Sequence, residues 1–178
     1  MTIDDVRLDA PGFDPGAVRS GVARALASTR LLSMATVGED GLPWVNHAYF
    51  SVDGDFVLHL LTRPGSRHAR NLAATGGRVA VAVADTAQPG APTRLGLQLA
   101  GRCGRVPDDE PGPEAFRARF PAFAPHLDRA GGLAAAGLPV RLYRVVVEEF
   151  RLYDEAAFGG EVWVDGVVRR AVPVTDHR

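Results

Sequence analysis

The spacing of apolar residues changes once along the chain, near Leu31. Before it, Val18, Val22, Leu26 and Thr29 recur at helical intervals, and Asp14-Pro15 supplies an N-cap and a first helical residue, so the pattern predicts a helix over residues 15–28. After it, the period falls to two. Residues 31–37, 44–50 and 56–61 read as an antiparallel meander, joined by the turn residues Gly38-Glu39-Asp40-Gly41 and Asp53-Gly54-Asp55. Arg63-Pro64-Gly65 ends the meander, and residues 66–74 read as a short helix with Ser66 at its N-cap and Gly76-Gly77 beyond its end.

Two further strands are predicted over residues 79–84 and 95–106, separated by a Pro and Gly loop, and a short proline-bounded helix over residues 113–121. The Gly and Ala stretch 131–137 reads as a loop or a weak helical turn, and residues 140–147, 150–153 and 161–168 close the chain as strands. Seven or eight strands in local hairpins imply a mainly β (α+β) fold, a small antiparallel barrel or sandwich with short peripheral helices. A parallel nucleotide-binding sheet is not supported, because no GxGxxG follows a strand. The 178 residues are read as a single domain over 1–178, with the helix at 15–28, the barrel over about 31–168 and a flexible C-terminal tail.

Composition narrows the function by exclusion. The 20 basic and 21 acidic residues nearly cancel and are mixed along the chain, so no dense positive field for nucleic acid is expected. There is no Lys, which removes Schiff-base chemistry and the phosphate-loop lysine; any anion site rests on Arg, His or backbone amides. The lone Cys103 excludes an intramolecular disulfide, and Asp4-Asp5 stand where a secretory signal carries positive charge, so a cytoplasmic location is expected. No apolar run approaches the roughly 18 residues of a membrane span, so no membrane partner is expected.

The five His residues form no HExxH motif and no close pair with Cys103; His47 and His59 are expected to face opposite sides of adjacent strands, and no metal site is predicted. Flanking Arg102 and Arg105 would favour a Cys103 thiolate, but a small residue filling a strand position is the simpler reading. No Asp or Glu stands convincingly near both a His and a Ser, as a hydrolase triad requires.

The stretch carrying chemistry is His59-Leu60-Leu61-Thr62-Arg63-Pro64-Gly65-Ser66-Arg67-His68-Ala69-Arg70-Asn71-Leu72, where a strand ends at Thr62 and a helix starts after Ser66. A helix N-terminus offers unpaired amides and the positive end of a dipole; Thr62 and Ser66 add hydroxyls, and Arg67 adds a fork matched to phosphate oxygens. The plain structural alternative is a capping Ser66 followed by a solvated basic face of Arg67, His68 and Arg70.

Over residues 31–72 the sequence resembles the flavin-binding split-barrel family of pyridoxamine 5'-phosphate oxidase. LLSMATVGEDGLPWVNHAYF is similar to the family's first hairpin, and LLTRPGSRHARNL to its phosphate segment, with weaker echoes at Leu97–Arg102, at residues 116–121 and around Phe158-Gly159-Gly160. The resemblance implies a split barrel that dimerises, with one flavin mononucleotide (FMN) in each of two clefts between subunits. It places the phosphate on Thr62, Ser66, Arg67 and His68, with His68 where the family carries Lys. It sets Asn46, His47, Ala48 and Tyr49 beside the flavin ring, Leu61 as a further contact, and Gln98 near a flavin-contacting Gln. One polar residue on each face of that strand, Asn46 and His47, suits a wall against a polar ring.

Several positions depart from the family. Asn46 replaces a strand Arg, Ser51 a following Lys, and Phe116 and Phe120 align with residues that hold the substrate phosphate in the true oxidases, so vitamin phosphate oxidation is not expected. Phe116, Phe120 and Phe123 describe an apolar patch, and Phe158 and Trp163 are candidates to reach across a dimer interface. The reading is an FMN-dependent oxidoreductase acting on a small organic substrate or reduced nicotinamide, with no catalytic acid or base assigned. The alternative is a carrier that holds flavin, deazaflavin or haem without turnover.

Overall fold

The computed structural model describes residues 3–86, 93–129 and 131–171; the tail beyond and the middle of the Pro and Gly loop lie outside the described residues. The alternation seen in the sequence builds the core directly. Leu32 and Met34 of β2 (Leu31–Val37), Phe50 of β3 (Pro43–Val52) and Leu58 and Leu60 of β4 (Val57–Thr62) point inward and are buried. Val79, Val81 and Val83 of β5 (Arg78–Ala84) and Leu97 and Leu99 of β6 (Leu95–Arg105) do the same. Burying each such side chain contributes about 1.5–3 kcal/mol.

Every strand pairs antiparallel, and the order β7-β4-β3-β2-β5-β6, closed by β6 against β7 (Arg141–Asp154), makes a six-stranded barrel. β8 (Trp163–Arg170) and β1 (Val6–Asp9) extend the sheet beyond β7. The fold is a split barrel.

Three features differ from the sequence expectation. The two strands expected at 140–147 and 150–153 are one, because Glu148 is an extra residue opposite the Ala100/Gly101 step; the bulge lets a pair of glutamates pass without ending the strand. β1 is a strand only because β8 pairs with it. A short α5 (Glu155–Phe158) follows β7, its first turn capped by the Asp154 carboxylate, which accepts from Ala157 N at 3.2 Å.

Helices sit outside the barrel. α1 (Pro15–Ser28) starts as expected, with the Asp14 carboxylate accepting from Ala17 N at 2.7 Å, and buries Val18, Val22 and Leu26, while Thr29 is the C-cap rather than part of the stripe. α3 (Glu114–Arg119), the 3-10 helix Pro121–His126 and α4 (Gly132–Ala135) cover the outer faces of β4 and β7. Between them lies a second apolar cluster of Phe116, Leu127, Leu133, Val106 and Leu142, with Phe120 and Phe123 packed against it. α2 (Arg67–Ala74) ends at Gly77, whose φ of +75° lets its N–H reach Leu72 O at 2.9 Å while its carbonyl accepts from Cys103 N at 2.7 Å.

Candidate functional site

The β3–β4 ladder holds only from Val52↔Leu58 to Phe50↔Leu60, although β3 continues back to Pro43 and β4 onward to Thr62. Each strand keeps its other neighbour: β3 stays paired with β2 as far as Pro43↔Val37, and β4 with β7 as far as Thr62↔Arg141. The two therefore part, leaving the edge of β3 over residues 43–49 without a ladder partner on that side. α2 begins beside this opening.

Ser66 is extended (φ −70°, ψ 158°) and its Oγ accepts from Ala69 N at 3.3 Å, so the capping expected from sequence is present. The same Oγ lies 2.9 Å from His68 Nε2, and Thr62 Oγ1 lies 3.1 Å from that nitrogen. Two hydroxyls and an imidazole thus converge at one corner, with Thr62 buried. Burial pushes the His68 pKa below the ordinary imidazole range, so the ring is neutral at neutral pH and Nε2 serves the hydroxyls as an acceptor or as a single donor. Arg67 lies across the mouth of this corner: its guanidinium stacks 4.7 Å from the Trp44 ring centroid and approaches Asp40 Oδ2 at 3.8 Å. Arg70 is turned away, donating to the Gly65 carbonyl.

The remaining predicted residues fall into three groups. Ala48 and Asn46 lie on the inward side of β3; Ala48 is buried, and Asn46 Oδ1 is buried with no hydrogen-bond partner. His47 and Tyr49 face outward, His47 with its Nδ1 3.0 Å from Ser33 Oγ, and Tyr49 60% exposed with its ring centroid 5.8 Å from that of Phe120. Leu61 packs into the second apolar cluster. Gln98 is not brought to the α2 corner: it pairs with Ala82 of β5 and Arg151 of β7 on the outer barrel face. There it lines a separate hollow of about 500 Å³ with Ser33, Ala35 and Val45.

Asp40 and Trp44, the neighbours of Arg67, were read in the sequence only as a turn and a strand residue; their hairpin folds back onto α2, and no local pattern reports that. His47 and His59 share the outer face rather than opposing it, because Ser51↔His59 is in register and Ser51 lies four positions beyond His47 on β3. That spacing, roughly 13 Å along a strand, keeps them apart. Among the described residues no group of three His, Cys, Asp or Glu side chains is placed to hold a metal ion.

The register also assembles a Ser, His and Asp that the sequence did not reveal. His59 Nε2 sits 2.8 Å from Asp53 Oδ2, and Ser51 stands opposite His59; yet Ser51 is wholly buried, and neither its Oγ nor His59 Nδ1 has a partner. A nucleophile needs access, so this trio is packing rather than a hydrolase site. Burial likewise pushes the Cys103 thiol up to about 12, the opposite of an activated thiolate.

The architecture is that of the split-barrel class, and the sequence comparison resolves the class into a family. The model of the pyridoxamine 5'-phosphate oxidase family matches residues 20–153, and the chain belongs to that family. No curated protein matches the chain. Among solved structures it is similar to the haem storage protein HutZ from Vibrio cholerae, with a TM-score of 0.58 and 19% identity over 79% of this chain and 96% of that one. A FAD-binding protein from Mesorhizobium loti matches with a TM-score of 0.52 and 22% identity, over 74% of this chain and 91% of that one. A haem-binding protein from Mycobacterium smegmatis matches with 0.56 and 21%, over 83% of this chain and 57% of that one. At these identities the likeness is one of fold. Among the described residues no helix is long and apolar enough to cross a membrane.

Proposed function

We propose that the chain binds flavin mononucleotide in the opening between β3 and β4, at the interface of a homodimer, and acts as an oxidoreductase on a small organic substrate or a reduced nicotinamide. The observation that carries this reading is the convergence of Thr62, Ser66 and His68 at the start of α2, with Arg67 at its mouth. These groups fit a dianionic phosphate: both hydroxyls turn to donate, a protonated His68 donates, and Arg67, the first residue of α2, adds a guanidinium fork. The orphaned Asn46 Oδ1 suits a polar ring edge, since it is an acceptor that nothing among the described residues satisfies. When bound, the flavin supplies two-electron chemistry. The residues of the chain hold and orient it, and His47 and Tyr49 are the side chains of outer β3 able to hold a proton nearby.

The homodimer rests on surface chemistry. Of the seven exposed large hydrophobic residues among those described, six (Leu31, Val37, Leu42, Trp44, Val45 and Tyr49) belong to the β2–β3 hairpin, a patch that solvent does not favour. With Ser51 and Phe116 buried and Phe120 packed beside Phe116, the substrate in this reading is not a vitamin phosphate ester.

Purified protein should be yellow, with a band near ~450 nm, and bleach with NADPH and recover in air. Arg67→Ala should weaken FMN binding about 10- to 100-fold. A colourless protein that takes up no added FMN overturns the reading.

His47 favours a second reading, a haem carrier without turnover. Ser33 Oγ engages Nδ1 of this exposed His47, a pairing of the kind that orients ligating imidazoles, and the similar structures include a haem-binding protein and a haem storage protein. A Soret band lost in His47→Ala distinguishes it.

A further inference from the structure

A large hollow lies away from the α2 corner, on the other side of α3. It occupies about 920 Å³ between the end of α1, the β3–β4 turn and α3, with a floor formed by Ala27, Val52, Ala115 and Ala118. We propose that this cleft is a second ligand site, which takes a small organic anion with an apolar body and holds its carboxylate or phosphate between Arg30 and Arg119. The inference is independent of the flavin reading.

The charges lining the cleft divide unevenly. Its acids are engaged within the protein: Asp53 accepts from Val57 N at 3.0 Å and meets His59 at 2.8 Å, and Glu114 pairs with Arg117 at 2.6 Å. The Arg30 side chain is exposed and, among the described residues, makes no hydrogen bond or ion pair; only its backbone carbonyl is engaged, accepting from Phe50 N at 3.2 Å. Arg119 is preorganised, donating to the Thr29 carbonyl and stacking 5.0 Å from the Phe50 ring centroid, so its planar fork is fixed at the cleft wall. Because Arg119 reaches the carbonyl of the residue preceding Arg30 and both arginines line the hollow, the two cations stand close together there; burial first, and then the charge of Arg30, lower the Arg119 pKa. An oxyanion between them relieves that repulsion and gains charge-assisted hydrogen bonds. The alanine and valine floor offers apolar area but no polar partner, which selects an amphipathic anion over inorganic phosphate or sulfate.

The test is calorimetric titration of the full-length protein with sodium octanoate and, separately, phenyl phosphate. Binding of either supports the site, and the pair distinguishes carboxylate from phosphate. Arg30→Gln should weaken the better probe about tenfold, Arg30→Lys about threefold, and Arg119→Gln at least as much as Arg30→Gln. Arg119 ties α3 to the end of α1, so if its variant fails to fold, the exposed Arg30 still decides the matter. Ser66→Ala should leave probe binding unchanged, which separates this cleft from the α2 corner. The proposal is overturned if neither probe binds, if Arg30→Gln binds within twofold of the wild type, or if Ser66→Ala abolishes binding while Arg30→Gln does not.

Discussion

Asp40→Asn should tighten FMN binding and leave riboflavin binding alone. Asp40 Oδ2 stands 3.8 Å from Arg67, with the two side chains 55% and 39% exposed, so the pair is a solvent-screened one worth at most about 1 kcal/mol. A phosphate arriving at Ser66 and His68 must share Arg67 with this carboxylate. It also meets Asp40's own charge: a dianion about 8 Å away is opposed by about 1 kcal/mol in water, and by less than half of that at physiological salt. The two effects together come to about 0.7–1.4 kcal/mol, or about threefold to tenfold in Kd. Asn is isosteric and keeps the oxygen that accepts from Leu42 N at 3.0 Å, so the hairpin turn should survive. Flavin fluorescence titration, run in parallel with FMN and riboflavin, measures the difference. The gain should shrink with added salt and disappear in the Arg67→Ala background. An FMN affinity that falls or stays put in Asp40→Asn, or one that rises equally for riboflavin, refutes the placement of the phosphate beside Arg67.

Three further outcomes follow from the same geometry. His68 has its pKa lowered by burial, so without ligand the unfolded chain takes up its proton first as pH falls through about 6.5, and apo stability should fall there; His68→Asn should reduce that slope in melting curves measured against pH, and an unchanged slope contradicts the burial of the ring. Gly77→Ala should lower Tm sharply or prevent folding, because the backbone is at φ +75° and a Cβ would stand 2.5 Å from the Cys103 carbonyl oxygen; a Tm within about 2 °C of the wild type contradicts the close approach of the turn after α2 to β6. Cys103, its pKa raised to about 12 by burial, should resist a thiol reagent at about pH 8 in the native protein and react at once in denaturant; fast native labelling contradicts its burial.

Much of this molecule was legible in one dimension because its local signals agree with its packing. Arg78-Val79-Ala80-Val81-Ala82-Val83-Ala84 alternates in sequence and in burial alike, and Asp14 and Ser66 cap the helices their positions announce. The α2 corner was readable for the same reason: Thr62, Ser66 and His68 lie within seven residues, so a strand end and one helical turn suffice to bring them together. Gln98 was a different matter. It faces Arg151 of β7, at the far end of that strand from Arg141, which faces Thr62, and no spacing along the chain encodes that register.

Periodicity, caps and turns are properties of neighbouring residues, and by themselves they determined most of the strands, the starts of α1 and α2 and the meeting of Thr62, Ser66 and His68. Pairing register, barrel closure and the parting of β3 from β4 depend on which edges meet across long stretches of chain, so only the tertiary structure decided that Asp40 approaches Arg67 and that Ser51 and His59 stand side by side. It also decided that Arg30 and Arg119 share a cleft. Hydrogen-bond ladders and like charges act through space, and space is what a linear pattern leaves out.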